Sequence, residues 1–209
     1  MQGPTARPIL PGYNWANASS VRYHERQQIF LEGERSRWVY RIEEGAVCLY
    51  KTLHTHKRRV FDFGFEGEVI GLSASNEYTL SAQAAGTAIL SRAAVAELYD
   101  LAANDSRFAL ELYRAVSSEL ETARRLVTLL SQNSLLERVA QFLLGLTYRN
   151  AAKDDPQLLT LPMTRPDVAS LLGMSPETLS KLADQALIEP RGRSQIFILD
   201  VFELQRLEQ

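Results

Sequence analysis

Apolar and polar positions along this chain change rhythm twice. From about Gln27 to Leu90, short apolar runs alternate with turn residues: "QQIFLEGE", "WVYRIEEGAVCLYKT", "RVFDFGFEGEVIGL" and "YTLSAQAAGTAIL". Runs rich in β-branched and aromatic residues, punctuated by glycine, predict short antiparallel strands packed as a sandwich or barrel. At "SRAAVAELYD" the spacing becomes helical. From roughly Asp105 to Gln132 it predicts one long helix, with Asp105-Ser106 as its start. Tyr113, Val116, Leu120, Ala123, Val127 and Leu130 step by 3, 4, 3, 4 and 3 residues, the a/d seam of a coiled coil. Leu110, Leu112, Leu126 and Leu129 lie off that seam. A helix apolar on two sides has two partners: here its own strands and, through the seam, a second copy in a parallel homodimer. The plainer alternative is a helix lying only on its own barrel.

Beyond Gln132-Asn133-Ser134 the second change comes. "SLLERVAQFLLGLTYRN" is an amphipathic helix, "AAKDDPQ" a polar linker, and "MTRPDVASLLGMSPETLSKLADQALI" reads as two short helices around Gly173. Thr164 three residues before Asp167 predicts a capping box, Gly173 a left-handed stop, and Ser175-Pro176 the N-cap and first position of the next helix. On that next helix Glu177, Ser180, Lys181 and Asp184 recur at i, i+3, i+4 and i+7 and so share one face. "EPRGRSQIFIL" predicts strand, turn and strand, and "DVFELQRLEQ" a closing helix. Two helices around a tight turn, followed by a strand pair, make a winged helix-turn-helix, whose second helix enters the major groove of duplex DNA. Glutamate accepts from cytosine N4 and lysine donates to guanine, so Glu177, Ser180 and Lys181 are the candidate base contacts. Thr164, Arg165, Ser175, Arg191 and Arg193 are placed to meet the phosphate backbone. Asp184 has no role in this scheme, and the competing reading is a helical hairpin with a solvated face.

Bulk charge does not announce a nucleic-acid partner. The 209 residues carry a formal net charge of -2, and residues 134–209 hold eight Lys/Arg against ten Asp/Glu, again -2. Positive charge must therefore act locally. The single cysteine, Cys48, rules out a disulfide framework or a cysteine-ligated cluster within one chain. No apolar run approaches the length of a membrane span and the N-terminal "MQGPTARPILPGYNW" lacks the apolar core of a secretion signal. The expectation is a cytoplasmic protein with no membrane partner.

With those residues assembled, the chain resembles the CRP/FNR family of bacterial transcription regulators, nearest its FixK-like branch. The resemblance runs through "WVYRIEEGAVCLYK", "RRVFDFGFEGEVIGL", "LLERVAQFLL" and "TRPDVASLLGMSPETLSK". It implies an α+β fold: an antiparallel β-barrel of the cyclic-nucleotide-binding jelly-roll type (1–103), a dimerisation helix (104–133) and a winged-helix DNA-binding domain (134–209). It implies a homodimer bound to double-stranded DNA at an inverted repeat, activating transcription through contact with RNA polymerase, and it implies no enzyme activity. The family's reading motif Glu-x-x-Ser-Arg is matched by Glu177 and Ser180, with Lys181 where arginine is usual. Half-sites resembling TTGAT then follow, with Glu177 on the cytosine opposite guanine, Lys181 on the guanine and Ser180 on a thymine. The recognition helix, 176–186, is about one turn shorter than is usual in the family.

In relatives that bind cyclic nucleotides an Arg-Ser pair holds the phosphate; Thr79 and Leu80 stand at those positions here. No Lys or Arg occurs between Arg59 and Arg92, while Asp62, Glu66, Glu68 and Glu77 do. A buried phosphate without a cation is costly, so neither a cyclic nucleotide nor any other cofactor is expected. The alternative within the family is a haem- or small-ligand-responsive sensor, with His24, His54 and His56 as conceivable haem ligands. Cys48 reads as a core residue with no neighbouring charge. A cupin-like metal enzyme is the remote alternative: His54-x-His56 lacks the carboxylate four or five residues on, where Val60 and Phe61 stand.

Overall fold

The computed structural model describes residues 10–53, 57–131, 134–149, 158–160, 163–178, 181, 188–191 and 195–198. The predicted closing helix and the "AAKDDPQ" linker lie outside them. The chain divides into two compact units, Ala6–Glu121 and, with the first five residues, Thr122–Gln209.

The first unit opens with a short 3-10 turn, Trp15–Asn17, followed by strands β1 (Ser19–Tyr23), β2 (Gln28–Phe30), β3 (Trp38–Glu44), β4 (Ala46–Thr52), β5 (Arg58–Phe65), β6 (Val69–Ile70), β7 (Ser81–Ala84) and β8 (Ala88–Ala94). Helix α1 (Val95–Asn104) then leads into α2 (Ser106–Ser131). The strands form two antiparallel four-stranded sheets, β1-β8-β3-β6 and β2-β7-β4-β5. This is the jelly-roll arrangement expected, with the two sheets kept separate rather than closed into a barrel. β1 was not foreseen from the hydrophobic pattern. Four of its five residues, "SSVR", are exposed or half-buried and only Tyr23 enters the core, so it offers no apolar signal.

Alternation along β3 and β6 sends successive side chains to opposite faces. Tyr40, Ile42 and Ile70 join Tyr23, Phe30, Val47, Leu49, Tyr78 and Leu90 between the sheets. Val39 and Val69 instead join Leu10, Trp15, Ala93, Leu98, Phe108 and Ala115 in a second cluster. α1 and α2 contribute Leu98, Phe108 and Ala115 to it, so this sheet is buried on both faces. The β3–β4 turn requires Gly45: φ is +84°, and a Cβ there would stand 2.4 Å from the Thr87 carbonyl oxygen.

Asp105 starts α2 as predicted, its Oδ1 accepting from the Arg107 N–H at 2.8 Å and the Phe108 N–H at 3.4 Å. No helix among the described residues is long and apolar enough to cross a membrane.

The second unit contains α3 (Leu135–Arg149), β9 (Leu158–Thr160), α4 (Arg165–Leu172), β10 (Ile188–Arg191) and β11 (Gln195–Ile198). Ser134 caps α3, its Oγ accepting from the Glu137 N–H at 3.3 Å. The β10–β11 pair is the predicted wing, in antiparallel register from Ile188↔Ile198 to Arg191↔Gln195. β9 pairs with β11 as a third strand that the sequence did not suggest.

Gly45→Ala places a Cβ against the Thr87 carbonyl and forces alanine into a left-handed conformation that alone costs about 1–3 kcal/mol. Both tryptophans, Trp15 and Trp38, lie in the first unit, so the expected outcome is a lower urea midpoint by tryptophan fluorescence. An unchanged midpoint contradicts the turn geometry.

Candidate nucleic-acid interface

Local chemistry fixes the start and stop of α4. Thr164, in extended backbone, accepts from the Asp167 N–H through Oγ1 at 3.3 Å and donates to Asp167 Oδ2 at 2.9 Å. Pro166 fills the first turn, where its missing N–H is no loss. Val168, Ala169, Leu171 and Leu172 are buried. At the far end Gly173 takes the left-handed conformation, φ +67°, and the Met174 N–H returns to the Ala169 carbonyl at 3.0 Å. That six-to-one bond closes the helix and reverses the chain. Arg138 on α3 adds a contact the sequence did not reveal: its Nη1 donates to the Leu172 carbonyl at 3.5 Å. A cation there faces the negative end of the helix dipole.

After the reversal, the Thr178 N–H donates to the Ser175 carbonyl at 3.2 Å, and Glu177, Thr178 and Lys181 have helical backbone. Glu177 and Lys181, four residues apart, are both exposed. Hydrogen bonding to Ser175, then to its own backbone N–H, with the Lys181 charge nearby, holds the Glu177 carboxyl below the usual carboxylate range. It is therefore an acceptor throughout the neutral range. Arg165 and Ser175 are exposed and Thr164 is half-buried in its capping role. Arg191 ends β10 opposite Gln195. Ser180, Asp184 and Arg193 lie outside the described residues.

On α2 the predicted seam is uncovered in a single chain. Tyr113 is 69% exposed, Val116 55%, Leu120 50% and Val127 68%; Ala123 is exposed and Leu130 half-buried. Phe108 and Ala115, on another side of the helix, are buried. A mostly apolar cleft of about 390 Å³ adjoins the seam, lined by Val39, Leu72, Val95, Leu98 and Leu112, with Tyr113 and Val116 at its helix wall.

The space between the sheets is occupied by aromatic side chains. Phe30 stacks on Tyr78 with ring centroids 3.9 Å apart and on Tyr40 at 5.7 Å. Tyr78 Oη donates to the Trp38 carbonyl at 2.7 Å. Burial pushes the Tyr23, Tyr40 and Tyr78 hydroxyls up from their ordinary values. Beside Tyr78, Thr79 is exposed and Leu80 half-buried. His24 is exposed; His54 and His56 lie outside the described residues. Among the described residues no group of three or more His, Cys, Asp or Glu is placed to hold a metal ion.

Cys48 corrects the reading that no charge neighbours it. It is fully buried, as a core residue would be, but Arg58 Nη2 donates to its Sγ at 3.0 Å, with the Arg58 guanidinium 4.3 Å over the Tyr50 ring. The β4–β5 hairpin, irregular between Leu49 and Tyr50, brings them together.

A profile of the Crp-like helix-turn-helix domain matches residues 137–207, and one of the cyclic nucleotide-binding domain matches residues 20–105. The transcriptional activatory protein AadR of Rhodopseudomonas palustris is 31% identical over 165 residues, covering 78% of this chain and 69% of AadR. The nitrogen fixation regulation protein FixK of Bradyrhizobium diazoefficiens is 30% identical over 162 residues, 77% of this chain and 68% of that one. The solved structure of FixK2 from Bradyrhizobium japonicum superposes with a TM-score of 0.84 at 30% identity, covering 92% of this chain and 98% of FixK2.

Thr164→Ala removes the side-chain cap of α4 and is expected to destabilise that helix by about 1 kcal/mol. Hydrogen exchange at the Asp167 and Val168 amides should accelerate. Unaltered exchange there contradicts the capping role.

Proposed function

The chain belongs to the CRP/FNR family of transcription regulators, among its FixK-like members, and from that premise we propose how it engages its operator. It is a DNA-binding regulator with a helix-turn-helix reading domain, and the family's members are regulators rather than enzymes. In our reading it works in the cytoplasm as a homodimeric activator, recruiting RNA polymerase at an inverted repeat. Its parts are a sensor-like domain (1–103), a dimerisation helix (104–133) and a reading domain (134–209).

The observation that carries the reading is the exposed Glu177–Lys181 pair, one helical turn apart and just beyond the Gly173 reversal. Glu177 accepts from cytosine N4 and Lys181 donates to guanine, with Ser180 on a thymine, at half-sites resembling TTGAT. Lysine brings a point charge where arginine would bring a planar fork, so discrimination at the guanine is softer than in arginine-bearing relatives. Arg165, Ser175, Arg191 and Arg193 hold the phosphates and set register without reading sequence, while Thr164, expected among them, spends its hydroxyl hydrogen on Asp167 and serves as the cap of α4.

Dimerisation through Tyr113, Val116, Leu120, Ala123, Val127 and Leu130 is supported by their exposure in a single chain. Four large apolar side chains in a 3–4 stripe on one helix are a surface awaiting a partner. Activity without a bound effector is supported by two features of the jelly roll. The Phe30, Tyr40 and Tyr78 rings occupy its interior, and the sequence from Val60 to Ser91 offers no cation for a cyclic phosphate.

The purified protein is expected to bind a duplex with paired TTGAT-like half-sites without added ligand, its affinity falling steeply with salt as phosphate counterions are released. Equal affinity for a scrambled duplex at moderate salt overturns sequence reading. Glu177→Ala should relax discrimination at one base pair by about 1–3 kcal/mol, while Arg191→Ala should weaken all sequences alike. A sequence-selection experiment in which both variants lose only overall affinity refutes these roles. Leu120→Glu should give monomers by sedimentation and abolish operator binding, and a dimer undisturbed by it refutes the seam.

A further inference from the structure

The seam fixes a heptad register on α2, and that register makes a prediction about charge. With Tyr113, Leu120 and Val127 at a and Val116, Ala123 and Leu130 at d, the flanking positions follow. Leu112, Glu119 and Leu126 fall at g; Ser117, Arg124 and Ser131 fall at e. In a parallel, in-register pair each g residue meets the e residue five places later on the other helix. Residues 112 and 126 then meet 117 and 131, leucine against serine. Residue 119 meets 124, and those are Glu and Arg. Arg124 is exposed, and Glu119 is half-buried at the cleft that adjoins the seam. The remaining charges of this stretch, Arg114, Glu121 and Arg125, occupy b and f positions on the far side.

We propose that, in the parallel pair read above for α2, two symmetry-related ion pairs join Glu119 of each copy to Arg124 of the other across Leu120 and align the helices. The inference rests on the dimer reading above and adds the charged contacts that align it. Apolar spacing alone does not forbid a seven-residue slip, because Val116, Leu120, Ala123 and Val127 meet seam residues in either alignment. A slip of one heptad sets Glu119 against Ser117 or Ser131 and leaves Arg124 opposite a leucine. The sole charged g–e match of the stripe therefore selects one alignment, which equalises the reach of the two reading heads. Rim charges of this kind contribute little affinity each but set partner choice.

The test uses two full-length variants, alone and mixed, with the dimer dissociation constant measured by sedimentation and helicity checked by circular dichroism. In Glu119→Arg both flanking pairs become Arg–Arg; in Arg124→Glu they become Glu–Glu. Each variant alone is expected to dissociate about tenfold more readily than the parent. Mixed one to one, they should form a heterodimer in which both pairs are complementary again, with parental affinity to within about threefold. The double variant, Glu119→Arg with Arg124→Glu, should likewise recover as a homodimer. An effect within the single chain would not be repaired by mixing. Unchanged dissociation of the single variants, or a mixture no tighter than its components, overturns the proposal. If Leu120→Glu still yields monomers in that case, the seam stands and only the alignment fails; if it does not, the dimer reading itself has failed.

Discussion

The β1-β8-β3-β6 sheet has to satisfy two cores at once, and the rest of the first unit follows from how it does so. Its inner face meets the aromatic filling of the jelly roll through Tyr40, Ile42 and Ile70, while its outer face presents Val39, Val69 and Ala93 to the helices. Alternation along β3 from Val39 to Ile42 makes this possible, since a shift by one residue would exchange the two sets. Once the outer face takes Leu98, Phe108 and Ala115, the rotation of the first turns of α2 about its axis is set. Tyr113 and Val116 are then turned to water. The exposure of the seam is thus a consequence of packing on its other side rather than an isolated surface feature.

Much of this was legible in the residues because it rests on local rules. Helical periodicity in α2, the Thr164 cap, the Gly173 stop and the two strands of the wing are each written within a few positions, and each formed where the spacing put it. What escaped was either too short or too distant. β1 carries one buried side chain in five and β9 spans three residues, so neither has a pattern to detect. The Arg58–Cys48 contact depends on a hairpin whose ladder slips between Leu49 and Tyr50; no reading of either residue's neighbours in sequence contains that slip. Arg138 on the Leu172 carbonyl depends on how α3 packs against α4. For the candidate reading face, residue type and spacing singled out Glu177 and Lys181, and both are exposed.

Charge explains why composition pointed the wrong way. A formal net charge of -2 over the whole chain gives no signal of a nucleic-acid partner, yet DNA binding as proposed needs only a few cations in fixed places. Hydrogen bonding to Ser175 and to its own backbone N–H, with Lys181 nearby, lowers the Glu177 carboxyl from its ordinary value; in the role proposed for it, the residue meets DNA as an oriented acceptor.

The bare apolar stripe on α2 carries a consequence for dosage. In the dimer proposed above, single and paired forms stand in mass-action balance, and only the paired form spans two half-sites. At low abundance, operator occupancy would then climb with the square of the amount synthesised, so that halving expression cuts it fourfold.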